Sequence, residues 1–308
     1  MSKKILITGS NGLLGQKLVL ALRENNELLA TSIGPCRMNN QSGFTYQNLD
    51  ITNKQAVQKI VLEFQPDVII NTAAMTNVDD CEDNQEACDK LNVYSVQYLA
   101  DACSEHGSHL IHISTDFIFD GKDGPYKEED NPNPLSYYGL SKLNSENILQ
   151  KHSCDWVILR TIVVYGFADN LSRDNIVLWA RRALKNGNPL NIIDDQFRSP
   201  TLAEDLAQAC VLAVEKRAKG IYNASGKDIM SILEMVERMA DFYDCDKSII
   251  NRISTDKLKQ KAKRPLKTGF ILDKSIDELA YQPHSFEDGL AIVEQQILEQ
   301  ETTIKQSI

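Results

Sequence analysis

The sequence predicts an α/β fold in which a doubly wound parallel sheet is followed by a smaller α/β C-terminal lobe. Three observations predict it. Short apolar runs alternate with helical patterns through the first half of the chain. A glycine-rich turn follows the first of these runs. Beyond about residue 165 the alternation loosens into helices joined by longer loops. A strand, helix, strand rhythm is typical of parallel sheets covered by helices on both faces.

The elements of the first half each have a local signal. A capping pattern, Thr52-x-x-Gln55, predicts the start of a helix that runs to about residue 64. Pro66 then separates this helix from a run, D-V-I-I-N, that reads as a buried strand. The predicted strands are 5–7, 28–32, 67–71, 109–114 and 156–161, and the predicted helices are 13–22, 52–64 and 85–106.

The second half has weaker signals. Pro and Gly mark loops at 120–135, 186–200 and 263–269. Helices are predicted at 174–186, 203–217, 231–243 and 286–300, and short strands near residues 190 and 221. We therefore expect a large domain at 1–165 and a smaller lobe at 166–308 that is interleaved with it.

Composition narrows the classes of function. Asp plus Glu exceed Lys plus Arg by 43 to 33, a net charge of −10, which argues against a nucleic-acid partner. The apolar run at the N-terminus is too short for a signal peptide, and no apolar stretch approaches the ~18 residues of a membrane span. The seven cysteines form no C-x-x-C pair. We expect a cytoplasmic protein with reduced thiols and no membrane partner.

The glycine-rich turn points to a dinucleotide. Gly9, Gly12 and Gly15 follow the first strand at G-x-x-G-x-x-G spacing and lead into the first helix. Such glycines permit a tight turn, a close approach of backbone to a pyrophosphate, and close packing of helix on strand, while the helix N-terminus faces the anion. The sequence therefore predicts a Rossmann-like, dinucleotide-binding domain at 1–165 and a mainly substrate-binding lobe at 166–308.

The end of the second predicted strand bears on the choice of dinucleotide. An NAD site usually places Asp or Glu there to accept from the ribose 2′-hydroxyl, but this chain has Ser32. Arg37 follows closely and is a candidate partner for a 2′-phosphate, although a solvated loop position would also suit it. We expect NADPH, with NADH as the alternative. Asp50 is either an acceptor for the adenine amino group or a loop and capping carboxylate.

A phenol and an ammonium define the candidate catalytic residues. Tyr138 and Lys142 are four positions apart and share a helix face, although Tyr243 and Lys247 show the same spacing without such context. Thr115 ends a predicted strand, where doubly wound sheets bind ligands. Hydride addition to a carbonyl leaves an alkoxide that needs an acid, and we expect Lys142 to lower the pKa of Tyr138 toward the working pH. Lys142 is also expected to hold the nicotinamide ribose, and Thr115 to donate to the carbonyl oxygen.

Together these motifs resemble the extended short-chain dehydrogenase family, and within it the dTDP-4-dehydrorhamnose reductase family. The resemblance implies reduction of the 4-keto group of a sugar nucleotide by NADPH or NADH, in particular dTDP-4-dehydro-6-deoxy-L-mannose to dTDP-L-rhamnose. It rests on segments spread along the chain: T-G-S-N-G-L-L-G at 8–15, N-T-A-A-M-T-N-V-D at 71–79, S-T-D-F-I-F-D-G at 114–121, Y-G-L-S-K at 138–142, R-T-I-V-V-Y-G at 160–166, D-D-Q-F-R-S-P-T at 194–201 and R-P at 264–265.

The resemblance also implies roles for single residues. The pyrophosphate is expected along Gly12, Leu13 and Leu14, the adenine by Asp50 and Ile51, and the nicotinamide half by Ala73, Ala74 and Met75. The remaining implied cofactor contacts are Gly9, Asn11, Gly15, Ser32, Arg37, Tyr138 and Lys142. The implied substrate contacts are Thr76, Val78, Thr115, Asp116, Val163, Arg198 and Arg264.

Two of these positions depart from the family pattern. Val163 stands where the family often has a tryptophan against the sugar, and Arg198 stands where it has a glycine. The first departure leaves the exact sugar open. For Arg198 we expect either a substrate phosphate as partner or a solvated position.

Other functions stay open at this stage. A sugar-nucleotide dehydratase is disfavoured because Phe117 replaces the glutamate of the T-D-E motif of those enzymes. An epimerase is also disfavoured, but less strongly than a dehydratase. From another class, the regulatory β subunit of methionine adenosyltransferase is similar to this family and keeps the tyrosine and lysine. The dense carboxylates Asp79, Asp80, Glu82 and Asp83 are read as a solvated helix start, with no metal expected. The oligomeric state is open, with a homodimer as the candidate.

Overall fold

The computed structural model describes residues 2–258 and 260–306, with side chains described up to residue 302. Its strands are β1 (Lys4–Thr8), β2 (Glu27–Ser32), β3 (Thr45–Asn48), β4 (Val68–Asn71), β5 (His109–Thr115), β6 (Asp155–Thr161), β7 (Val164–Tyr165), β8 (Leu190–Ile193), β9 (Phe197–Arg198), β10 (Thr201–Leu202), β11 (Gly220–Asn223), β12 (Met230–Ser231) and β13 (Ile250–Ile253).

The α-helices are α1 (Leu13–Leu22), α2 (Lys54–Phe64), α3 (Val78–Asp83), α4 (Gln85–Asp89), α5 (Ser95–His106), α6 (Tyr137–Lys151), α7 (Ile176–Lys185), α8 (Ala203–Lys216), α9 (Ile232–Phe242) and α10 (Phe286–Gln306). Two π-helical turns, Lys90–Tyr94 and Ser275–Leu279, and three 3₁₀ turns, Asp116–Ile118, Lys247–Ile249 and Thr255–Leu258, complete the described elements.

The central sheet has seven parallel strands in the order β11-β6-β5-β4-β1-β2-β3. The strands β1, β4 and β5 lie in its middle, and their residues Ile5, Ile69 and Ile111 are fully buried. Such continuous apolar runs form because helices cover both faces of a parallel sheet. One face packs on α1 and α8, and the other on α2 and α5. The predicted doubly wound α/β fold is confirmed.

The second half of the chain has a core of its own. Buried side chains of α7, α9 and α10, including Val177, Met235 and Leu290, pack together with β8 and with Tyr165. The same half also supplies β11, which pairs with β6 at the edge of the central sheet. The two halves are therefore interwoven, and the boundary at 165 stays a prediction.

Two local predictions were wrong in detail. The N-cap of α2 is Asn53, whose side chain accepts a hydrogen bond from the Ala56 N–H, while Thr52 hydrogen-bonds Asp50. The region 85–106 is not one regular helix, because the π-helical turn at Lys90–Tyr94 separates α4 from α5. Within the described ranges, no helix has the length and apolar character that a membrane crossing requires.

Candidate functional site

A cleft of about 960 Å³ opens at the carboxyl ends of the central strands, where ligands bind in doubly wound sheets. Most of the predicted site residues line it, namely Gly9, Asn11, Gly12, Leu13, Leu14, Gly15, Ser32, Arg37, Ile51, Ala73, Ala74, Met75, Thr76, Val78, Thr115, Asp116, Tyr138, Lys142 and Val163. Three predicted residues, Asp50, Arg198 and Arg264, do not line it.

The glycine turn is shaped for a close approach of backbone to a ligand. Gly9 has a φ of +75°, and a Cβ there would lie 2.7 Å from the Ala73 nitrogen. A Cβ on Gly15 would lie 2.4 Å from the Gly9 carbonyl oxygen. Gly12 occupies the N-cap of α1 without a capping side chain, so the first N–H groups of the helix face the cleft. A dinucleotide pyrophosphate fits this cradle.

The far end of the cleft holds the residues predicted to choose between dinucleotides. Ser32 and Arg37 line it, and Asn11 fixes the segment between them, since its Oδ1 accepts from the Arg37 N–H at 2.9 Å and its Nδ2 donates to the Pro35 carbonyl at 2.9 Å. Asp50 instead accepts from the Thr52 N–H and hydroxyl at 2.9 and 2.8 Å. The structure thus supports the loop and capping reading of the Asp50 side chain.

Tyr138 lies in the first turn of α6, which Ser136 caps by accepting from the Gly139 N–H. The helix sits tightly against the end of β5, because a Cβ on Gly139 would approach the Phe117 carbonyl oxygen to 2.1 Å. The Phe117 and Tyr138 rings meet edge to face, with centroids 5.7 Å apart. This packing holds the phenol beside Thr115 at the base of the cleft.

The protonation of this pair differs from the sequence-based expectation. Burial raises the pKa of Tyr138 well above its ordinary value. A hydrogen bond with Thr115 lowers this pKa, but by a smaller amount. Burial also lowers the pKa of Lys142 to about 8, against the opposing effect of Glu146. The expected lowering of the Tyr138 pKa was therefore wrong, because desolvation outweighs any effect of the neighbouring cation. Tyr138 keeps its proton at neutral pH.

Beneath Lys142 lies a buried polar row that sequence reasoning missed. The Lys142 Nζ is 3.0 Å from His112 Nε2, and His112 Nδ1 is 3.2 Å from the Asn71 Nδ2. The Asn71 Oδ1 accepts from the Thr8 hydroxyl at 2.6 Å and from the Ala73 N–H at 3.3 Å. This arrangement fixes the Asn71 amide, so His112 Nδ1 accepts and its ring proton lies on Nε2. Burial and Lys142 lower the pKa of His112, which is therefore neutral.

Sequence patterning contained a signal for this row. Thr8, Asn71 and His112 are polar residues that directly follow or interrupt an apolar run in β1, β4 and β5, and they are register partners on these strands. Buried polar groups in adjacent strands usually hydrogen-bond to one another. The strand order was needed to see that they meet.

Asn92, in the π-helical turn, positions the backbone at Met75. Its Oδ1 accepts from the Met75 N–H at 2.8 Å and its Nδ2 donates to the Met75 carbonyl at 3.0 Å. The same Nδ2 lies 3.0 Å from the Ser141 hydroxyl, on the helix that carries Tyr138. One buried amide therefore joins the wall at Met75 to α6.

Arg198 is neither at the cleft nor solvated, which corrects both expectations for it. Its guanidinium is buried, donates to the carbonyls of Phe197, Leu266 and Pro265, and places Nε 3.7 Å from the Asp116 carboxylate. Burial raises the pKa of Asp116, and Arg198 opposes that shift. Arg198 thus compensates a buried carboxylate and fixes a loop.

Arg264 and the acidic residues of α3 also have protein partners. Arg264 donates to both Asp79 oxygens, Lys261 to Asp83, and the Tyr137 N–H to Glu82. Arg264 is therefore engaged with Asp79 outside the cleft lining, and its role as a substrate contact stays a prediction. Asp79 and Asp80 lie in the first turn of α3, and Asp80 and Asp83 are exposed, which agrees with the reading of the acidic run as a solvated helix start. Val163, in contrast, lies in the cleft wall with a φ of +39°, a conformation that a β-branched residue adopts only under strain.

The sequence and the fold match known proteins. The model of the family described as the RmlD substrate binding domain matches residues 3–298. A dTDP-4-dehydrorhamnose reductase of Aggregatibacter actinomycetemcomitans is 35% identical and covers 93% of this chain and 97% of its own. The β subunit of methionine adenosyltransferase 2 of Bos taurus is 32% identical and covers 86% of this chain and 79% of its own.

Solved structures agree with these relatives. A dTDP-4-dehydrorhamnose reductase of Clostridium acetobutylicum superimposes with a TM-score of 0.84 at 30% identity, over 96% of this chain and 99% of its own. One of Bacillus anthracis, solved in complex with NADP, has a TM-score of 0.82 at 27% identity, over 96% of this chain and 100% of its own.

Proposed function

Because the chain belongs to the RmlD substrate-binding family, we propose that it reduces the 4-keto group of dTDP-4-dehydro-6-deoxy-L-mannose with NADPH and forms dTDP-L-rhamnose. It is an NAD(P)-dependent oxidoreductase of the dTDP-4-dehydrorhamnose reductase type, and the family resemblance drawn from its motifs is confirmed. The observation that most supports the proposed reaction is the buried phenol of Tyr138 beside Thr115 in the cleft.

The residues of the cleft suit the binding of NADPH. The turn at Gly9, Gly12 and Gly15 accommodates a pyrophosphate, and Arg37 offers a cation beside Ser32, where an NAD site would carry a carboxylate. Ala73 and Met75 form the wall near Lys142. When bound, the dinucleotide supplies the hydride that reduces the sugar.

Tyr138 acts as the general acid. Its hydroxyl carries a proton at neutral pH and gives it to the oxygen that was the carbonyl oxygen, while the Thr115 hydroxyl donates a hydrogen bond to that oxygen. An alkoxide is a far stronger base than a phenolate, so a raised phenol pKa still allows the transfer. Lys142 holds ligand hydroxyls near Tyr138 while it remains charged. Asp116 lies in the wall on the substrate side.

Substrate-dependent loss of NADPH absorbance tests this proposal. Tyr138→Phe is expected to lower kcat by ~10²- to 10⁴-fold, the usual contribution of a general acid. Tyr137→Phe is the matched control, since the Tyr137 hydroxyl bonds Asp89 and does not line the cleft. If none of the 4-keto sugar nucleotides tested supports oxidation of NADPH by the wild-type protein, the reductase function is excluded.

A second function has support in the similarity to the β subunit of methionine adenosyltransferase 2. Under it, the chain binds NADP and a catalytic partner subunit without turning over a sugar. Gel filtration of the chain mixed with a methionine adenosyltransferase catalytic subunit tests it. Co-elution together with absent sugar reduction would favour this function over the first.

A further inference from the structure

Arg173 bridges the two walls of the cleft. It belongs to the segment 166–175, which joins β7 to α7, and its Nη2 donates to the Thr76 hydroxyl on the opposite wall, after β4. Thr76 is its one hydrogen-bond partner in the described part of the chain, and no described carboxylate forms an ion pair with it. A cation with a single hydroxyl partner at a cleft keeps most of its donors free for a ligand.

Hydrogen bonds hold the backbone in place on both sides of Arg173. The buried Gln16 of α1 binds the Asp169 backbone twice, since its Nε2 donates to the carbonyl at 2.7 Å and its Oε1 accepts from the N–H at 2.9 Å. Asn170 donates to the Arg37 carbonyl at 2.9 Å, and Asn175 to the Gly166 carbonyl at 2.7 Å. The segment is therefore attached on both sides of Arg173, and only residues 171–174 cross the opening.

The charges of the cleft leave Arg173 available for an anion. Among the described lining residues the cations are Arg37, Lys142 and Arg173. Arg37 lies at the Ser32 end, and Lys142 is buried beside His112. The lining carboxylates are already engaged, because Asp174 pairs with Arg182 and Asp116 accepts from Thr268.

We propose that Arg173 is a diphosphate-binding residue, whose guanidinium exchanges the Thr76 hydroxyl for the diphosphate oxygens of a nucleotide. This inference rests on the proposed function, which brings two diphosphates to the cleft, that of NADPH and that of the sugar nucleotide. Planar guanidinium donors match phosphate oxygens in paired hydrogen bonds. The α1 N-terminus already faces a dinucleotide pyrophosphate, whereas Thr76 lies beyond Met75, so the geometry favours the sugar nucleotide.

Binding titrations of Arg173→Gln test the inference, with NADPH followed by fluorescence and dTDP by calorimetry. We expect at least about ten-fold weaker binding of dTDP with little change for NADPH, and weaker binding of NADPH alone would overturn the assignment to the sugar nucleotide. Arg173→Lys keeps the charge but lacks the paired donors. Its affinity for the affected probe should lie between those of the wild type and Arg173→Gln. Arg217→Gln is the matched control, because Arg217 is an exposed arginine and neither it nor its partner Asp155 lines the cleft.

The outcomes separate this inference from the proposed function. Unchanged affinity of Arg173→Gln for both probes, with normal wild-type binding, would overturn the role of Arg173 alone. A wild-type chain that binds neither probe would instead count against the proposed function. Because Arg173 is exposed, its replacement is expected to leave the melting temperature unchanged.

Discussion

Lys142 and His112 are hydrogen-bond partners beneath the cleft, with Nζ and Nε2 3.0 Å apart. The His112 proton lies on Nε2, because Asn71 occupies Nδ1 as a donor. An ammonium facing that N–H would place two donors against each other, so the arrangement favours the neutral amine. Burial acts in the same direction and lowers the Lys142 pKa to about 8. The charge of Lys142 is thus adjustable near physiological pH.

The rate of reduction should therefore fall as pH rises through about 8. Lys142 is charged below its folded-state pKa of about 8 and loses its proton above it, whereas Tyr138 remains protonated there because its pKa is raised. The measurement is kcat from about pH 6 to about pH 10 at saturating NADPH and sugar nucleotide. Tyr137→Phe should keep the same alkaline limb. A rate that stays flat to about pH 10 would show that Lys142 charge is not required.

Removing the buried ammonium should stabilise the protein. The folded-state pKa of Lys142, about 8, lies below the ordinary 10.5, so at neutral pH folding has to bury a charge that prefers water. Lys142→Met should raise the free energy of unfolding by about 3 kcal/mol below pH 8, at 1.36 kcal/mol per pKa unit.

The pH dependence of that gain provides the check. Between about pH 8 and 10.5 the unfolded wild-type chain binds more protons than the folded one, so wild-type stability rises with pH and the advantage of Lys142→Met shrinks. Urea unfolding of both proteins at about pH 7 and pH 10 measures it. An equal difference at both values would contradict the assignment to Lys142.

Gly139→Ala should reduce catalysis, because α6 cannot keep its position against the end of β5. The added Cβ would lie 2.1 Å from the Phe117 carbonyl oxygen, so α6 must move away from the end of β5 and carry Tyr138 away from Thr115. A displacement of about 1 Å at a catalytic group can lower the rate by ~10². Leu140→Ala, an exposed residue on the same helix, is the control. Normal kcat in Gly139→Ala would mean that the contact can relax without moving the phenol.

Asn92→Ala should weaken both stability and NADPH binding. It removes the acceptor of the Met75 N–H and one of two donors to the Met75 carbonyl, the other being the Cys81 thiol, and an unsatisfied buried group costs roughly 1–3 kcal/mol. Because Met75 lines the cleft, the Kd for NADPH should rise as well. Denaturant unfolding and a fluorescence titration measure the two effects. Asn84→Ala should change neither, because the exposed Asn84 side chain bonds only the Asp80 carbonyl among the residues that the structure describes.

The sheet and the phosphate turn were predictable because their signals are local. Apolar strand runs and the spacing of Gly9, Gly12 and Gly15 report backbone geometry directly. The break between α4 and α5 was not predicted, because the π-helical turn at Lys90–Tyr94 carries Asn92, whose partner Met75 is distant in the sequence. Thr52 and Asn53 compete for one cap, and the sequence pattern favoured the wrong residue.

The candidate site shows the same division. The spacing of Tyr138 and Lys142 predicts a shared helix face. It does not indicate how deeply the two side chains are buried, and burial determines the direction in which the pKa of Tyr138 shifts. The buried position of Arg198 was also not predicted, because it too depends on contacts between distant parts of the chain. Its partners are main-chain carbonyls far along the sequence, at Pro265 and Leu266, which no motif encodes.

The edge strand β11 has a consequence for biosynthesis. Among the described strands its only neighbour in the sheet is β6, whose central residues Val157, Ile158 and Leu159 are inaccessible to water in the finished molecule. A nascent chain that has emerged from the ribosome only as far as β6 can pair this strand with β5, but its other edge stays open until residues 220–223 follow. Severing the gene after codon 165 would make this exposure permanent, so such a fragment is expected to precipitate rather than fold on its own.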